Sequence, residues 1–268
     1  MKVAVHLRGG PNLTNIRSEV IADGLYECGH HVEYLPRGEA SKDADLVVQT
    51  GFSNTTAFKG AIDRGVPYLI MEAPPFRTMH PWETHSSWGY NGLAGGAYRP
   101  EAPHEDRAHP QQQERKEEGK TLIIGQKPTD HSLRGSDHIS WLVAKLEEYP
   151  DAELRHHPLM VRAQSSIEEA LEDVSKVITY TSTVAVDGRF AGCEVVIEGR
   201  GSWGELSTHD LSWCSFANDE YRSEGVARHI LSGYEEARHR AEQGLVEIPR
   251  GKQDGRAICE QYHQRVIR

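Results

Sequence analysis

The stretch from Val177 to Gly199, VITYTSTVAVDGRFAGCEVVIEG, constrains the fold of this chain more than any other. It opens as a β-branched apolar run ending at Tyr180 and turns through Thr181, Ser182 and Thr183. A short helical segment carrying Asp187 follows, and the segment breaks at Gly192 before a second apolar run, Cys193 to Ile197. Strand, hydroxyl turn, short helix and strand in that order belong to an α/β sheet. In such a sheet ligands sit where the chain leaves the carboxyl end of a strand, and a helix N-terminus there presents unpaired backbone N–H groups to an anion. Ser182 and Thr183 add hydroxyl donors, which makes phosphate the natural guest, although Ser and Thr after a strand also serve as plain N-caps. Asp187 stands about one helical turn further on, where a carboxylate accepts hydrogen bonds from a ribose diol.

The same alternation recurs along the chain, and 268 residues suffice for one large or two modest domains with a real core. A net charge of −10 argues against a protein that holds nucleic acid by bulk electrostatics, while leaving room for a locally basic groove. Cys28, Cys193, Cys214 and Cys259 form no CxxC pair, so neither a disulfide framework nor a zinc site is indicated and a reducing compartment fits. The N-terminus runs directly into a strand with no apolar stretch of signal-peptide or membrane length, so the expectation is a cytoplasmic protein with no membrane span. Fifteen histidines raise the question of a metal, yet the spacings of His156 with His157 and of His80 with His85 match no tetrahedral pattern; no metal ligands are assigned.

Read in order, Lys2 to Leu7 is a strand, the loop Arg8, Gly9, Gly10, Pro11 follows, and Asn15 to Glu27 has apolar residues at helical spacing. This glycine loop lacks the GxGxxG pattern of a dinucleotide site and either admits a ligand or makes an ordinary tight turn. Strands at His30–Leu35, Ala44–Thr50 and Val66–Met71, with a helix over about Thr56–Arg64, predict a parallel, doubly wound first half. The last of these strands ends in Glu72, inside LIMEAPPFR, where the two prolines stiffen the loop behind a carboxylate. Met79 to Pro100, with His85, Trp88 and Tyr90, reads as a long aromatic loop suited to stacking a base or a sugar ring.

Residues 1–100 form the predicted N-terminal, acceptor-side domain and residues 101–120, strongly polar, a linker. Residues 121–240 form the predicted nucleotide-sugar-binding domain, whose helical last part carries an apolar face of Trp213, Phe216, Ile230 and Leu231 to cover its sheet. Residues 241–268 are a tail that crosses back to the first half. In the second half, polar residues gather at four strand ends: Gln126 with Lys127, His157, Ser182 with Thr183, and the loop from Glu198 to Trp203.

Two doubly wound, Rossmann-like halves facing each other across a cleft resemble the GT-B architecture of nucleotide-sugar glycosyltransferases. Three motifs carry the resemblance further. LIIGQKPTDHSLRG at Leu122–Gly135 is similar to the glycine-glutamine pattern with a downstream acid found in capsule polysaccharide, Kdo-transferase-like proteins. LRHHPL at Leu154–Leu159 resembles their His-Pro motif, and TSTVAVDG at Thr181–Gly188 their Ser-Thr motif. The resemblance implies donor-phosphate contacts from His157, Ser182 and Thr183, with Gly125, Gln126 and Lys127 lining the same site. Asp187 stands where many GT-B enzymes place a glutamate on the ribose, and Gly188 replaces the alanine usual after it. In the first half, LIMEAPPFR resembles the segment bearing the catalytic aspartate of phage DNA β-glucosyltransferases, which implies Glu72 as base.

The chemistry expected from this resemblance is transfer of a sugar from a nucleotide-sugar co-substrate to an acceptor hydroxyl. Glu72 removes the acceptor proton and the second half stabilises the departing diphosphate. No DxD motif stands in an obvious position, which agrees with a reaction needing no obligatory metal or other cofactor. Hydroxymethylpyrimidine in phage DNA is the acceptor expected first, flipped out of the duplex and held by Arg8, Gly9, Arg77, His85 and Trp88, with Arg17 and Arg99 adding to a basic groove. The alternatives are a capsule- or glycan-type transferase and a non-catalytic nucleotide- or glycan-binding protein of the same fold.

Overall fold

A computed structural model of the chain describes residues 1–7, 13–36, 38–51, 55–72, 85–92, 112–133, 135–161, 165–199, 213–215, 224–246, 248 and 255–267. The chain divides into two compact units. The first comprises residues 1–107 and 206–249, and the second comprises residues 108–205 and 250–268. Both are α/β with parallel strands at their centre.

The first unit runs β1 (Lys2–Leu7), α1 (Leu13–Glu27), β2 (His31–Pro36), β3 (Leu46–Thr50), α2 (Thr55–Ile62), β4 (Tyr68–Glu72) and β5 (His85–Tyr90). In the second follow β6 (Lys120–Ile124), a 3-10 turn at His131–Leu133, α3 (His138–Glu148), β7 (Glu153–Arg155), α4 (Ile167–Leu171), β8 (Val174–Thr179), α5 (Val184–Phe190) and β9 (Glu194–Ile197). The chain then returns to the first unit with β10 (Trp213–Ser215), α6 (Glu224–Ser232) and α7 (Tyr234–Glu242), and ends in the second with α8 (Gly255–Arg265).

The first sheet has the order β10-β5-β4-β3-β1-β2. β2, β1, β3 and β4 are mutually parallel, whereas β5 is antiparallel to β4 and β10 to β5. Alternation along the buried strands sends Val3, Val5, Val48, Leu69 and Met71 to one face and Ala4, Val47, Tyr68 and Ile70 to the other. The first face packs on Ile21 and Leu25 of α1 and on Ile230, Tyr234 and Ala237 of α6 and α7; the second packs on Ala57, Phe58 and Ala61 of α2. Each fully buried large side chain among these contributes about 1.5–3 kcal/mol. The second sheet is wholly parallel, in the order β7-β6-β8-β9. One face meets α4 and α5 through Leu122, Val177, Leu171 and Val184. The other meets α3 and α8 through Ile123, Ile178, Leu142 and Tyr262.

Three expectations from sequence are corrected. The stretch expected to be an aromatic loop contains β5, which lies inside the sheet and pairs antiparallel with β4. Residues from 112 onward are not a free linker: Gln113 N–H donates to the Phe190 carbonyl, Lys116 N–H to the Gly192 carbonyl, and the Lys116 ammonium to the Leu171 and Glu172 carbonyls. Polar composition reads as linker, yet backbone pairing is blind to composition. The helices of residues 224–242 cover the first sheet, not the second, and α8 belongs to the second unit, so the chain joins the first unit at residue 206, before the expected tail, and passes to the second unit again within that tail, after residue 249.

A buried side chain ties the returning helices to β4 and β5. Asn91, in the left-handed region at φ 58°, accepts from Tyr68 N–H at 3.1 Å and donates to the Ala237 carbonyl at 2.8 Å, while the Tyr90 hydroxyl donates to the Ile230 carbonyl at 3.0 Å. Asn91→Ala leaves a buried donor and a buried acceptor unpaired and places Ala at positive φ. It should therefore lower the unfolding free energy in urea by about 2–4 kcal/mol.

Candidate functional site

The second sheet reverses its strand order between β6 and β8, since β6 leads outward to β7 and β8 outward to β9. α3 covers one face and α5 the other, so the chain segments leaving β6 and β8 border a crevice, the usual ligand position in open α/β sheets. Gln126 leaves β6 there and Thr181 leaves β8.

These two residues hold each other. Gln126 Nε2 donates to Thr181 Oγ1 at 2.9 Å and to Ser132 Oγ at 3.2 Å, and Thr181 N–H donates to Gln126 Oε1 at 2.8 Å. Ser132 Oγ also lies 3.0 Å from Thr181 Oγ1, and Ser132 N–H donates to Asp130 Oδ1 at 2.8 Å. Gln126 is 6% exposed. With both ends of its amide engaged inside the protein, it braces the two loops. Gly125 beside it is also explained by packing, because a Cβ there would come within 2.9 Å of the Tyr262 hydroxyl of α8. That hydroxyl lies 2.9 Å from His156 Nδ1, and burial pushes it up to about 12.

The brace sits on a neutral histidine. Gln126 N–H donates to His138 Nε2 at 3.0 Å, so the ring proton is on Nδ1. Burial drives the His138 imidazole down to about 4 against opposing pulls from Asp130 and Asp137. Trp141 stacks on it at 5.2 Å and Tyr180 meets both rings edge-on. Trp141 Nε1 in turn donates to Glu198 Oε2 at 2.7 Å, and Lys145 pairs with Glu198 Oε1 at 2.6 Å. The residues after β9 are thereby tied to α3. None of His138, Trp141, Tyr180 and Ser132 stood out in the sequence, because an aromatic on a helix and one at a strand end carry no mark that they will meet.

What the brace presents is the hydroxyl turn. Ser182 N–H donates to Thr179 Oγ1 at 3.1 Å, and Ser182 Oγ accepts from Val184 N–H at 3.3 Å. Thr183 is the N-cap residue of α5, and its hydroxyl makes no capping bond. Asp187 lies in the first turn of α5, half-buried. Gly188 has a steric reason: a Cβ there would approach Val177 Cγ2 to 2.9 Å, so the glycine lets α5 lie close on β8. Lys127 follows Gln126 at the β6 end, half-buried. His157 follows β7, where its Nδ1 accepts from Leu159 N–H at 3.1 Å, leaving Nε2 to carry the ring proton when neutral. Lys127, His157, Ser182 and Thr183 therefore stand at the carboxyl ends of β6, β7 and β8, which are neighbours in the sheet.

In the first unit, Glu72 ends β4 beside Ser87 of β5 and is half-buried. Trp88 is 3% exposed and belongs to the core against β4, and Arg17 of α1 is buried, so neither is on offer to a nucleic acid as expected. His85 lies at the start of β5. Arg8, Gly9, Arg77 and Arg99 lie outside the described residues. Asp43 and Asp45, a D-x-D pair in sequence, stand at the opposite end of β3, where both carboxylates bond Lys2. Among the described residues no group of three His, Cys, Asp or Glu side chains is placed to hold a metal, and no helix is long and apolar enough to cross a membrane.

No protein-family model matches the chain, and no curated protein sequence matches it. Among solved structures it is similar to Thermosulfurimonas dismutans KpsC, a β-Kdo 2,4 transferase. The identity is 17% and the TM-score 0.47, over 74% of this chain and 79% of that one. It is also similar to the same organism's KpsC β-Kdo 2,7 transferase, at 13% identity and a TM-score of 0.46, over 73% of this chain and 77% of that one.

Neutral His138 links the site to pH. Its pKa in the folded chain, about 4, lies below the ordinary 6.5, so the neutral ring's contribution is complete above pH 6.5 and is lost as pH falls toward 4. The wild type should lose about 2–3 kcal/mol more stability than His138→Gln between pH 7 and pH 4.5, measured by urea unfolding. Gln126→Leu should destabilise by about 2–4 kcal/mol, since Thr181 N–H and the two hydroxyls lose their shared partner in a buried setting.

Proposed function

We propose that the chain is a glycosyltransferase that moves a sugar from a nucleotide-sugar donor to an acceptor hydroxyl, the second unit binding the donor and Glu72 of the first serving as base. The observation that carries this reading is the braced switch point of the second sheet. Gln126, Thr181 and Ser132 fix a turn whose Ser182 and Thr183 hydroxyls stand on the same strand-end edge as Lys127 and His157. A diphosphate leaving group gains negative charge as the glycosidic bond breaks. Hydroxyl donors, the Nε2–H of His157 and the Lys127 ammonium are groups that stabilise such charge without a metal. Asp187, one turn into α5, is the group assigned to the ribose diol. The resemblance of the Gly125-Gln126, His157-Pro158 and Ser182-Thr183 segments to capsule-type Kdo transferases supports the same donor role.

For the acceptor, hydroxymethylpyrimidine in DNA draws no support from Trp88 or Arg17, both of which are in the core. A glycan-type hydroxyl agrees better with the acidic chain.

A thermal-shift screen of the full chain against CMP, UDP, GDP, ADP and their sugars, each with and without EDTA, tests the donor site. A nucleotide at about 100 times its dissociation constant should add roughly 2.7 kcal/mol and raise the midpoint by several degrees, indifferent to EDTA. No response to any nucleotide would overturn the donor reading. Glu72→Gln should then lower turnover by about 10²–10⁴-fold with donor affinity unchanged. Retained turnover would remove Glu72 from the chemistry, and absence of turnover in the wild type with donor bound would favour a binding protein of this fold.

A further inference from the structure

The first sheet has a switch point of its own, between β1 and β3, and it buries polar groups that no motif marks. Ala4 and Val47 pack on the α2 side of the sheet, so His6 and Gln49, each two residues further along, point to that side as well. They are register partners on adjacent strands, about 4.8 Å apart along the hydrogen-bonding direction. Gln49 is in turn the register partner of Ile70, and Glu72 lies two residues beyond Ile70 on the same side. His6, Gln49 and Glu72 thus make a diagonal row across the carboxyl ends of three neighbouring strands.

Two members of this row are deeply buried and incompletely satisfied. His6 is 3% exposed and Gln49 2%. Among the described residues neither ring nitrogen of His6 makes a hydrogen bond of good geometry, and neither does Gln49 Oε1, although Gln49 Nε2 donates to the Gly51 carbonyl at 2.8 Å. Burial holds the imidazole below its ordinary range, with the Pro36 backbone and Glu39 opposing the shift. A neutral imidazole offers one donor and one acceptor, and the amide oxygen offers an acceptor. Packing alone would favour apolar residues here, as at Ala4 and Val47 on the same face, because unpaired buried polar atoms cost stability. An imidazole, an amide and a carboxylate together are donors and acceptors of the kind that bind hydroxyl groups.

We propose that His6 and Gln49 form a subsite for the hydroxyl groups of a neutral saccharide acceptor, at the switch point of the first sheet and alongside Glu72. The acceptor's role in a reaction rests on the glycosyl-transfer reading; its binding does not.

The test is NMR of the full chain with 15N-labelled histidine, the His6 ring signals being assigned by their loss in His6→Leu. Methyl glycosides of the common hexoses are titrated at millimolar concentration, and 5-hydroxymethyl-2′-deoxycytidine is titrated separately. At least one glycoside should shift the His6 signals and raise the thermal midpoint of the wild type. The midpoint response should weaken by about tenfold or more in affinity in both His6→Leu and Gln49→Met. Unliganded His6→Leu should melt at or above the wild type, the signature of polar atoms kept for a ligand and not for the fold. Should His6→Leu not fold, the near-isosteric Gln49→Met carries the affinity comparison, and His6→Gln supplies the assignment.

Glycosides that leave the His6 signals unmoved, or that bind the variants as they bind the wild type, would overturn the subsite. A shift produced by the nucleoside alone would overturn its saccharide character in favour of a pyrimidine acceptor. A glycoside response together with a silent nucleotide screen would keep the subsite and remove the transferase reading. The reverse pattern would keep the transferase reading and remove the subsite.

Discussion

Parallel strands cannot be joined by a tight turn, so each connection must leave the sheet, cross a face and come back. This constraint shapes the rest of the molecule. Where successive crossovers go to opposite faces, the loops at the strand ends part and leave polar groups with nowhere to pack. The strand order switches in this way between β1 and β3 in the first unit and between β6 and β8 in the second. The residues found there include buried polar groups, His6 with Gln49 and Gln126 with Thr181.

The two switch points use buried polarity differently. At β6 and β8 the amide of Gln126 is consumed within the protein, and the result is rigidity: loops from two strands, a 3-10 turn and the start of α3 are held through a single side chain and its backbone N–H. The group resting beneath it, His138, is held neutral by burial, which is what allows its Nε2 to accept. At β1 and β3 the polar atoms are left over. A satisfied brace and a pair of incompletely bonded side chains are two forms that buried polar groups take at a switch point.

Much of the central architecture was legible in the sequence because the parallel strands are buried on both faces and therefore appear as short apolar runs. Lys2–Leu7, Leu46–Thr50 and Tyr68–Glu72 are of this kind. β5 was not legible, since HSSWGY is neither an apolar run nor a strict alternation and sits in a stretch rich in His, Trp and Gly. The destination of α6 and α7 was also hidden. An amphipathic helix states that it has an apolar face, and nothing in its periodicity says which sheet that face will cover. The strap of residues 112–119 was misread for a related reason, being held through Phe190 and Gly192 by main-chain groups that any residue carries.

The sequence by itself determined the strand–turn–helix order, the placing of Lys127, His157, Ser182, Thr183 and Glu72 at strand ends, and the absence of a dinucleotide fingerprint. These are local properties, set by hydrophobic period and by turn chemistry within a few residues. Tertiary structure alone decided that Gln126 is a brace, that Trp88 and Arg17 are core residues, and that His6 and Gln49 share a face with Glu72. Each of those facts depends on which strands become neighbours and in what register. That pairing joins residues far apart in the chain, and no local pattern encodes it.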